Sequence, residues 1–562
     1  MRDDGPATQD DPLAAAARVI AAFGVGGRAL RELVARLTEG GHAFEALIRD
    51  SGLSRRTVEE LLAAVEPDLA RRGDELTIRP ERRAAYRELC RYEQLARTRP
   101  ADPLAGLVAA SPELVARMRE LVAAAPASRK ALDHVAATPE TAARRALWLD
   151  ATYELAGRRL LCVGDHDLTS LAVCQVNPDA AVTVVDIDER ILEFIDRQAD
   201  RLGLDIRCLY ADLRFGLPSG AAGQADLVVT DPPYTPEGVR LFLARGLAGL
   251  RDRDNARLVM AYGFGERHPA LGLKVQRAAQ DLHLVCEAML PGFNRYAGAQ
   301  AVGSSSDLYV YRPTAKTWPL IEGRTGGAQT RIYTHGPQSL EAAAEPLPAE
   351  VADALLAAAS DGAALTAVAG PGWPDGRPTG VARLDIGALI DEGPPRAAVS
   401  RPDAAVAADL SQDPGPWLLR VLLAVNAARL ALLVPNNHPD VSSADGQRRL
   451  AETVVAKYAL RFRRSTPTPR HCVVEAVAVR PPRDDLAAVL AHTLASRAHG
   501  KLGNVWREAL IRAVRAAHGT VLTKNQARAA VEKSAPDLLD LRLIELPRHR
   551  IHAVLATPPP AV

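Results

Sequence analysis

Carboxylate side chains follow a series of short apolar runs in this sequence, at the points where the runs end. The residues concerned are Asp165, Asp167, Asp186, Asp188, Asp212 and Asp231. Such runs are typical of buried parallel strands, whose carboxyl ends meet at one edge of a sheet, where open α/β folds bind their ligands. Carboxylates gathered at that edge can accept hydrogen bonds from ribose hydroxyls, attract a cationic amine, or take a proton from it.

Gly164 and Asp186 are spaced as in a nucleoside-binding site. Gly164 follows the apolar run 160–163, where it lets the backbone turn tightly and approach a ligand. Asp186 ends the next run roughly 20 residues later, a position from which an acid accepts hydrogen bonds from ribose. The turn has no G-x-G-x-x-G motif, so a dinucleotide is disfavoured. Each of the strand-end acids could instead cap the helix that follows it.

Two further acids extend this pattern. Asp212 follows the third predicted strand and is placed to accept a hydrogen bond from an adenine amino group. Asp231 begins the tetrapeptide Asp-Pro-Pro-Tyr, which ends at Tyr234. This tetrapeptide resembles a motif of amino-methyltransferases that act on nucleic acid bases or on glutamine, in which the Pro-Pro carbonyl and the aromatic ring hold a planar amino group. Glu237 is expected to begin the next helix, near its positive end.

Five segments together resemble the branched-chain polyamine synthases, also called N(4)-bis(aminopropyl)spermidine synthases. They are ATPET (137–141), GDHDLTSLA (164–172), DIDERILEFI (186–195), DPPYTPEGVRLFLARG (231–246) and FNRYAGAQAVGSSSDLYVYRPT (293–314). The resemblance covers residues 127–314. It implies a Rossmann-like enzyme that moves aminopropyl groups from its co-substrate, decarboxylated S-adenosylmethionine, to a polyamine such as spermidine, and releases methylthioadenosine.

The resemblance also implies roles for particular residues. The residues expected to bind the co-substrate are Gly164, Asp165, Asp186, Asp188, Asp212 and Thr138. Those expected to take part in the transfer are Asp165, Asp167, Asp231 and Tyr234, with one carboxylate accepting the proton of the attacking amine. Those expected to contact the acceptor amine are His166, Tyr234 and Glu237. Asp133, Thr138 and Glu140 precede the core and are expected to border the donor, although Thr138 equally fits a helix cap.

The sequence departs from the family at two positions. His166 stands in the middle of what is usually an acidic triplet, and Tyr234 stands where an acid often follows the two prolines. Both changes remove a carboxylate and bear on the choice of acceptor. Two other functions therefore stay open: an S-adenosylmethionine-dependent amino-methyltransferase, and a non-catalytic regulator that binds a polyamine or nucleoside. A methyltransferase needs a polar or cationic group for the donor's carboxylate, whereas Asp165 and Asp167 would repel it, which favours aminopropyl transfer.

Composition limits the class of protein further. The chain has 562 residues, room for about three domains. It is 48% hydrophobic with a formal net charge of +1, which argues against a nucleic-acid-coating protein. It has neither a long apolar run nor an apolar segment near residue 1, so we expect a cytoplasmic protein with no membrane span and no signal peptide. The cysteines form no C-x-x-C pair, and no metal is expected. The expected partners are a polyamine substrate and a second copy of the chain in a homodimer.

The predicted fold class is α/β, with a Rossmann-like, class I methyltransferase-type core between two other domains. Residues 12–90 are predicted to form a winged-helix-like domain. Nucleic-acid binding by this domain is disfavoured because Glu59 and Glu60 offset the positive charge of its arginines. A role in packing or dimerisation is preferred. The catalytic domain is assigned to residues 91–320, and 326–348 is predicted to be a linker. Residues 349–562 are predicted to be an α/β extension. Two interpretations of it are a degenerate second Rossmann-like unit, with Asp409 and Asn436 at strand ends, and an ordinary βαβ unit without a ligand, which is preferred.

Overall fold

The computed structural model describes residues 11–98, 102–298, 303–322, 331–336, 338–341, 346–374, 378–395, 403–482, 485–519 and 521–557. Part of the linker predicted at 326–348 therefore lies outside the described residues. Within the described part, no single helix is long and apolar enough to cross a membrane, and only the bent pair Pro12–Ala22 and Gly24–Glu39 has the length and composition to do so together.

The first part of the chain packs helices against a small antiparallel sheet around its own hydrophobic core. Its elements are α1 (Pro12–Ala22), α2 (Gly27–Glu39), β1 (His42–Ala43), α3 (Phe44–Ser51), α4 (Arg55–Val65), β2 (Leu69–Arg72), β3 (Glu75–Ile78) and α5 (Arg83–Leu89). The strand order is β1-β3-β2. Ser54 caps α4 by accepting a hydrogen bond from the Thr57 N–H at 3.3 Å, as its position before the helix predicts.

Four helices lead from this part to the central sheet. They are α6 (Tyr92–Arg97), α7 (Ala105–Ala109), α8 (Pro112–Ala124) and α9 (Pro139–Thr152). Helix α9 begins with a proline at its first position and with Thr138 as its cap, whose hydroxyl accepts from the Thr141 N–H at 3.2 Å.

The central sheet has seven strands in the order β6-β5-β4-β7-β8-β10-β9 among the described residues. Its strands are β4 (Arg159–Val163), β5 (Ala181–Asp186), β6 (Ile206–Tyr210), β7 (Leu227–Thr230), β8 (Arg257–Tyr262), β9 (Leu284–Arg295) and β10 (Ser305–Pro313). Strands β4 to β8 run parallel, and β10 is antiparallel to both of its neighbours. The parallel strands are almost wholly apolar because helices cover both faces. This is an α/β, Rossmann-like core.

The helices of this core connect and cover its strands. They are α10 (Thr169–Val176), α11 (Glu189–Leu202), α12 (Pro236–Gly249), α13 (Pro269–Asp281) and α14 (Trp318–Ile321). Strand β4 comes first in the chain. In the sheet, β5 and β6 lie on one side of β4, and β7 and β8 lie on the other. The crevice between β4 and β7 at the carboxyl ends is therefore the topological switch point of the sheet, where a ligand is expected.

The C-terminal part forms a second, mixed sheet with strand order β12-β11-β13-β14-β16-β15. Its strands are β11 (Ala364–Ala369), β12 (Ala382–Leu384), β13 (Ala404–Asp409), β14 (Arg429–Pro435), β15 (Tyr458–Arg464) and β16 (His471–Ala478). Its helices are α15 (Ala349–Ala359), α16 (Ile386–Asp391), α17 (Trp417–Ala424), α18 (Ala444–Val454), α19 (Leu486–Ser496), α20 (Leu502–His518), α21 (Lys524–Ser534) and α22 (Arg548–Ala556). One hydrophobic core extends from the central sheet into this part. Asp409 ends β13 and Asn436 directly follows β14, as predicted.

Candidate functional site

A cavity opens at the carboxyl ends of the parallel strands. The loops that follow β4, β5, β6 and β7 supply most of its wall, so it lies at the switch point of the sheet. The predicted site residues that line it are Gly164, Asp165, His166, Asp167, Asp186, Asp231 and Tyr234. We call the side after β5 and β6, with Ile187, Ala211 and Leu213, the apolar end, and the side after β4 and β7, with Asp167 and Asp231, the polar end.

Asp165 faces the helix that follows it. Its carboxylate accepts hydrogen bonds from the N–H groups of Thr169 at 2.8 Å and Ser170 at 3.1 Å, at the first turn of α10. The preceding Gly164 has a φ of +74°, a conformation that glycine adopts without strain. Burial raises the pKa of Asp165 to about 7. Asp165 thus shapes the turn of the cavity and caps the helix.

Asp186 joins the turns after β4 and β5. Its carboxylate accepts from the N–H of Asp165 at 3.1 Å and from the N–H of Asp188 at 2.8 Å. Burial raises the pKa of Asp186 to about 6. Asp188 caps α11 and binds Arg190 at 2.6 Å, and it is not among the residues that line the cavity.

Arg145 of α9 joins the two carboxylates at the polar end. Its Nη1 donates to Asp167 Oδ2 at 2.7 Å, and its Nη2 donates to Asp231 Oδ2 at 2.8 Å. Its Nε donates to Asn294 Oδ1 at 2.7 Å. The Arg145 side chain is only 3% exposed, so its charge is held inside the protein and balanced there by carboxylates.

The two carboxylates differ in their environments. Burial acts to raise the pKa of Asp167, but the Arg145 guanidinium beside it holds that pKa below its ordinary value. Burial, and next the charge of Asp167, raises the pKa of Asp231 to about 7. The Tyr296 hydroxyl donates to Asp231 Oδ2 at 2.7 Å. Asp231 can therefore take up and release a proton near neutral pH, while Asp167 stays ionised.

Two histidines are stacked on the wall of the cavity. The rings of His134 and His166 lie 4.5 Å apart between centroids and 20° from parallel. His166 Nε2 lies 2.9 Å from the Ser128 hydroxyl oxygen. Burial lowers the pKa of both histidines, that of His134 to about 3. Both rings are therefore neutral, and the Nδ1 atom of each is buried without a hydrogen-bond partner among the described residues.

Tyr234 contributes a hydroxyl group to the cavity. It lines the cavity, and its hydroxyl is buried without a hydrogen-bond partner in the described part of the chain. Its ring lies 5.7 Å from that of Tyr262, which holds it from behind. A hydroxyl in this state is available to a ligand.

Several predicted residues are not brought into the cavity. Asp212 is only 3% exposed, and its carboxylate is bound by Arg214 and by the Trp417 indole, so the predicted adenine contact is replaced by internal pairing. Thr138 acts as the cap of α9 and borders a different surface groove. Glu140 and Glu237 lie in exposed first turns of helices, and Glu140 binds Arg119 at 2.8 Å.

The sequence interpretation missed Arg145, His134 and Tyr333, all of which line the cavity. One signal for Arg145 is present: it shares a helix face with the buried Ala142, Ala146 and Leu149. An arginine on an apolar stripe has to find anionic partners inside the protein. No pattern in the sequence distinguishes His134 or Tyr333.

The segment that holds the cavity is similar to known proteins. Residues 113–318 match the family described as the branched-chain polyamine synthase A C-terminal domain. An uncharacterised protein of Methanocaldococcus jannaschii is 34% identical over 203 residues, which cover 36% of this chain and 49% of that protein. The N(4)-bis(aminopropyl)spermidine synthase of Thermococcus kodakarensis is 31% identical over 188 residues, covering 33% of this chain and 53% of that enzyme. The chain thus spans about half the length of these curated relatives.

One solved structure among the matches is a mutein of the branched-chain polyamine synthase of Thermus thermophilus, in complex with N4-aminopropylspermidine and 5'-methylthioadenosine. It is 21% identical, with a TM-score of 0.38, and the match covers 54% of this chain and 92% of that one. The family match includes every loop that carries a carboxylate of the cavity. The segment that holds the cavity, residues 113–318, is thus similar to the branched-chain polyamine synthases.

Proposed function

We propose that the chain transfers aminopropyl groups from decarboxylated S-adenosylmethionine to an amine of a polyamine such as spermidine and releases methylthioadenosine. The observation that carries this proposal is the polar end of the cavity, where Asp167 and Asp231 share the buried Arg145. The family of residues 113–318 supports it, as does the name N(4)-bis(aminopropyl)spermidine synthase that relatives of this segment carry.

The cavity suits an adenosyl group in one orientation. Ile187, Ala211 and Leu213 offer an apolar end for the adenine. Asp186 lies at the end of the adjacent strand, and beyond the two backbone N–H groups that it accepts, its carboxylate has lone pairs left for ribose hydroxyls. The turn at Gly164 is next to Asp186, because the N–H of the adjacent Asp165 donates to the Asp186 carboxylate. The sulfonium of the donor would then lie toward Asp167 and Asp231.

The charges of the cavity favour a donor without a carboxylate. The acids that line it are Asp133, Asp165, Asp167, Asp186 and Asp231, and Arg145 is the one arginine or lysine among the described lining residues. Its guanidinium already binds two carboxylates, so it is not free to bind the carboxylate of S-adenosylmethionine. Decarboxylated S-adenosylmethionine carries an ammonium instead, which these acids would attract. Amino-methyl transfer is disfavoured for the same reason.

The reaction is a displacement at carbon. The acceptor nitrogen attacks the methylene carbon that is bonded to the sulfonium sulfur, and as the C–N bond forms the C–S bond breaks. Its electron pair stays on the sulfur of the departing, neutral methylthioadenosine. An amine with a pKa near 10 must first lose a proton. We assign that proton to Asp231 because burial and the neighbouring charge of Asp167 raise its pKa to about 7, which lets it accept a proton near neutral pH.

The acceptor end combines charge with neutral polar groups. Asp167 stays ionised and attracts a polyamine cation. The stacked His134 and His166 are neutral and offer a flat surface for methylene segments. The Tyr234 hydroxyl has no hydrogen-bond partner in the described ranges and can bond an amine nitrogen. His166 and Tyr234 stand at two positions that are usually acidic in the family. With two carboxylates fewer, the cavity would favour an acceptor with fewer cationic groups.

The domains that flank the cavity are part of the proposal. We assign residues 12–90 to a winged-helix-like packing module, 91–320 to the catalytic domain, and 349–562 to an α/β extension. The packing role rests on α4, whose first turn binds Glu266 of the core: the Ser54 hydroxyl donates to Glu266 Oε1 at 2.8 Å, and Thr57 also donates to it. A helix start engaged in this way is not free to contact nucleic acid.

Calorimetry on the full chain tests the donor assignment. We expect methylthioadenosine to bind at least about ten-fold more tightly than S-adenosylhomocysteine, because only the latter brings a carboxylate to the acids. The Asp231→Asn variant should narrow this preference, and Asp254→Asn, at an exposed residue of the loop before β8, should leave it unchanged. Preferred binding of S-adenosylhomocysteine would contradict the assignment and favour methyl transfer.

A further inference from the structure

A part of the chain beyond the family match enters the cavity. We call residues 331–336 and 338–341 the linking segment, since they lie between the central core and the C-terminal part. Its Tyr333 is only 4% exposed and lines the cavity together with Ala211 and Leu213. The charges of Asp212, Arg214 and Asp186 act on the Tyr333 hydroxyl, which places it on the side of β5 and β6. The linking segment therefore contributes a ring to the end of the cavity that we assign to adenine.

The two neighbours of Tyr333 are both bound to the core, at different places. The Ile332 carbonyl accepts from the Thr235 hydroxyl, at the start of α12, at 2.5 Å. The N–H of Thr334 donates to Asp133 at 2.9 Å, and the Thr334 hydroxyl donates to the same carboxylate at 2.5 Å. These contacts fix the backbone before and after Tyr333, so the position of its ring is defined.

A buried polar chain ties the same segment to the C-terminal part. Arg214 Nε donates to Asp212 Oδ1 at 2.9 Å, and the Trp417 indole N–H of α17 donates to Asp212 Oδ2 at 3.0 Å. Arg214 also donates to the Gln338 side chain, whose Nε2 donates to the Gln412 carbonyl at 2.5 Å. Arg214 and Trp417 are almost fully buried.

We propose that Tyr333 is a donor-binding residue that packs on the adenine, and that Trp417 positions it through Asp212, Arg214 and Gln338. The inference rests on the proposed function, because it needs an adenosyl donor in the cavity. It gives Asp212 a role that differs from the predicted adenine contact: Asp212 joins the loop after β6 to the C-terminal part. The extension, which the family match does not cover, would thereby complete the donor site.

The test is the binding of methylthioadenosine to the full chain, measured by calorimetry. Tyr333→Phe keeps the ring and should bind as the wild type does. Tyr333→Ala removes it and should bind roughly 10- to 100-fold more weakly, the loss expected for one base–aromatic contact, while spermidine binding stays unchanged. Equal binding by wild type and Tyr333→Ala would overturn the role of Tyr333. Failure of the wild type to bind methylthioadenosine would instead overturn the proposed function, and this inference with it.

The positioning role is tested by removing one N–H. Trp417→Phe keeps an aromatic ring but cannot donate to Asp212, and Trp506→Phe is the matched control because the Trp506 indole N–H is buried without a partner among the described residues. We expect Trp417→Phe to raise KM for the donor several-fold with kcat nearly unchanged, and Trp506→Phe to leave both unchanged. Gln338→Leu interrupts the same chain outside α17 and should reproduce the effect. Unchanged donor KM in folded Trp417→Phe and Gln338→Leu would overturn the positioning role.

Discussion

Asp167 and Asp231 bind opposite nitrogens of one buried guanidinium, that of Arg145, at 2.7 and 2.8 Å. One guanidinium cannot fully balance the charges of two buried carboxylates, so the pKa values of the two groups move apart. The pKa of Asp167 falls below its ordinary value, and that of Asp231 rises to about 7. This difference underlies the assignment of Asp231 as the group that accepts the amine proton.

Replacing Asp231 by asparagine should abolish most of the transfer without unfolding the protein. Asparagine cannot accept the proton, and general-base catalysis is typically worth 10²- to 10⁴-fold in rate. The fold should persist because Arg145 keeps Asp167 as its partner. The measurement is kcat together with the melting temperature.

A matched control for that variant is Asp254→Asn, at an exposed loop position. It makes the same chemical change outside the cavity and should retain wild-type kcat. Turnover of Asp231→Asn within a factor of two of the wild type would remove Asp231 from the mechanism.

The activity should rise as the pH increases through about 7. Asp231 has to be ionised to accept a proton, and burial raises its pKa to about 7, so the protonated, inactive form dominates at lower pH. We expect kcat/KM to increase about ten-fold per pH unit below pH 6 and to level off above pH 8, apart from the titration of the free amine. A profile that is flat from pH 5.5 to 8 would contradict this role.

The buried carboxyl groups of the cavity should contribute to stability with the opposite pH dependence. Burial raises the pKa of Asp165 to about 7 and of Asp186 to about 6, and Asp231 is raised likewise. Between pH 4 and 7 these three groups bind more protons in the folded protein than in the unfolded chain, so their contribution to the free energy of unfolding falls as the pH rises through this window. Urea unfolding at pH 5 and pH 7.5 measures the decrease, which should be about 2 kcal/mol smaller in Asp231→Asn. An equal decrease in both proteins would show that Asp231 is ionised throughout.

Arg145 should matter for both stability and the pH profile. Arg145→Met leaves two carboxylates without their shared cation in a buried site, a change that costs about 3–5 kcal/mol of unfolding free energy. It should also raise the pKa of Asp231 further and move the activity limb to higher pH. The adjacent Arg144 binds the half-exposed Asp102, so Arg144→Met should cost less than about 1 kcal/mol. Equal losses in the two variants would contradict the buried-pair account.

His166→Asp should strengthen binding of the acceptor. It restores a carboxylate where the family usually has one, and a further negative charge near a bound ammonium is worth about 1 kcal/mol, or about five-fold. KM for spermidine should fall more than KM for a diamine, and the effect should weaken at high salt. Ser128→Ala removes only the hydroxyl beside His166 and should leave this preference unchanged. A rise in KM for both amines would assign His166 a direct contact.

The strand ends could be predicted from the sequence, but the partners of their carboxylates could not. The runs before Gly164, at Asp186 and before Asp231 are short, apolar and followed by turn residues, so local pattern alone places those residues at one sheet edge. Asp212 has the same local pattern, yet its carboxylate is bound by Trp417, which lies some 200 residues further along the chain. Such a contact depends on how the C-terminal part docks, and no local pattern encodes it.

The most direct test of aminopropyl transfer is mass spectrometry of the products. The purified 562-residue chain is incubated with spermidine and either decarboxylated S-adenosylmethionine or S-adenosylmethionine, with Asp231→Asn as the control. The account predicts methylthioadenosine, together with spermidine heavier by one or two aminopropyl groups, from the decarboxylated donor only. S-adenosylhomocysteine with a methylated amine, or no methylthioadenosine with any polyamine offered, would contradict it.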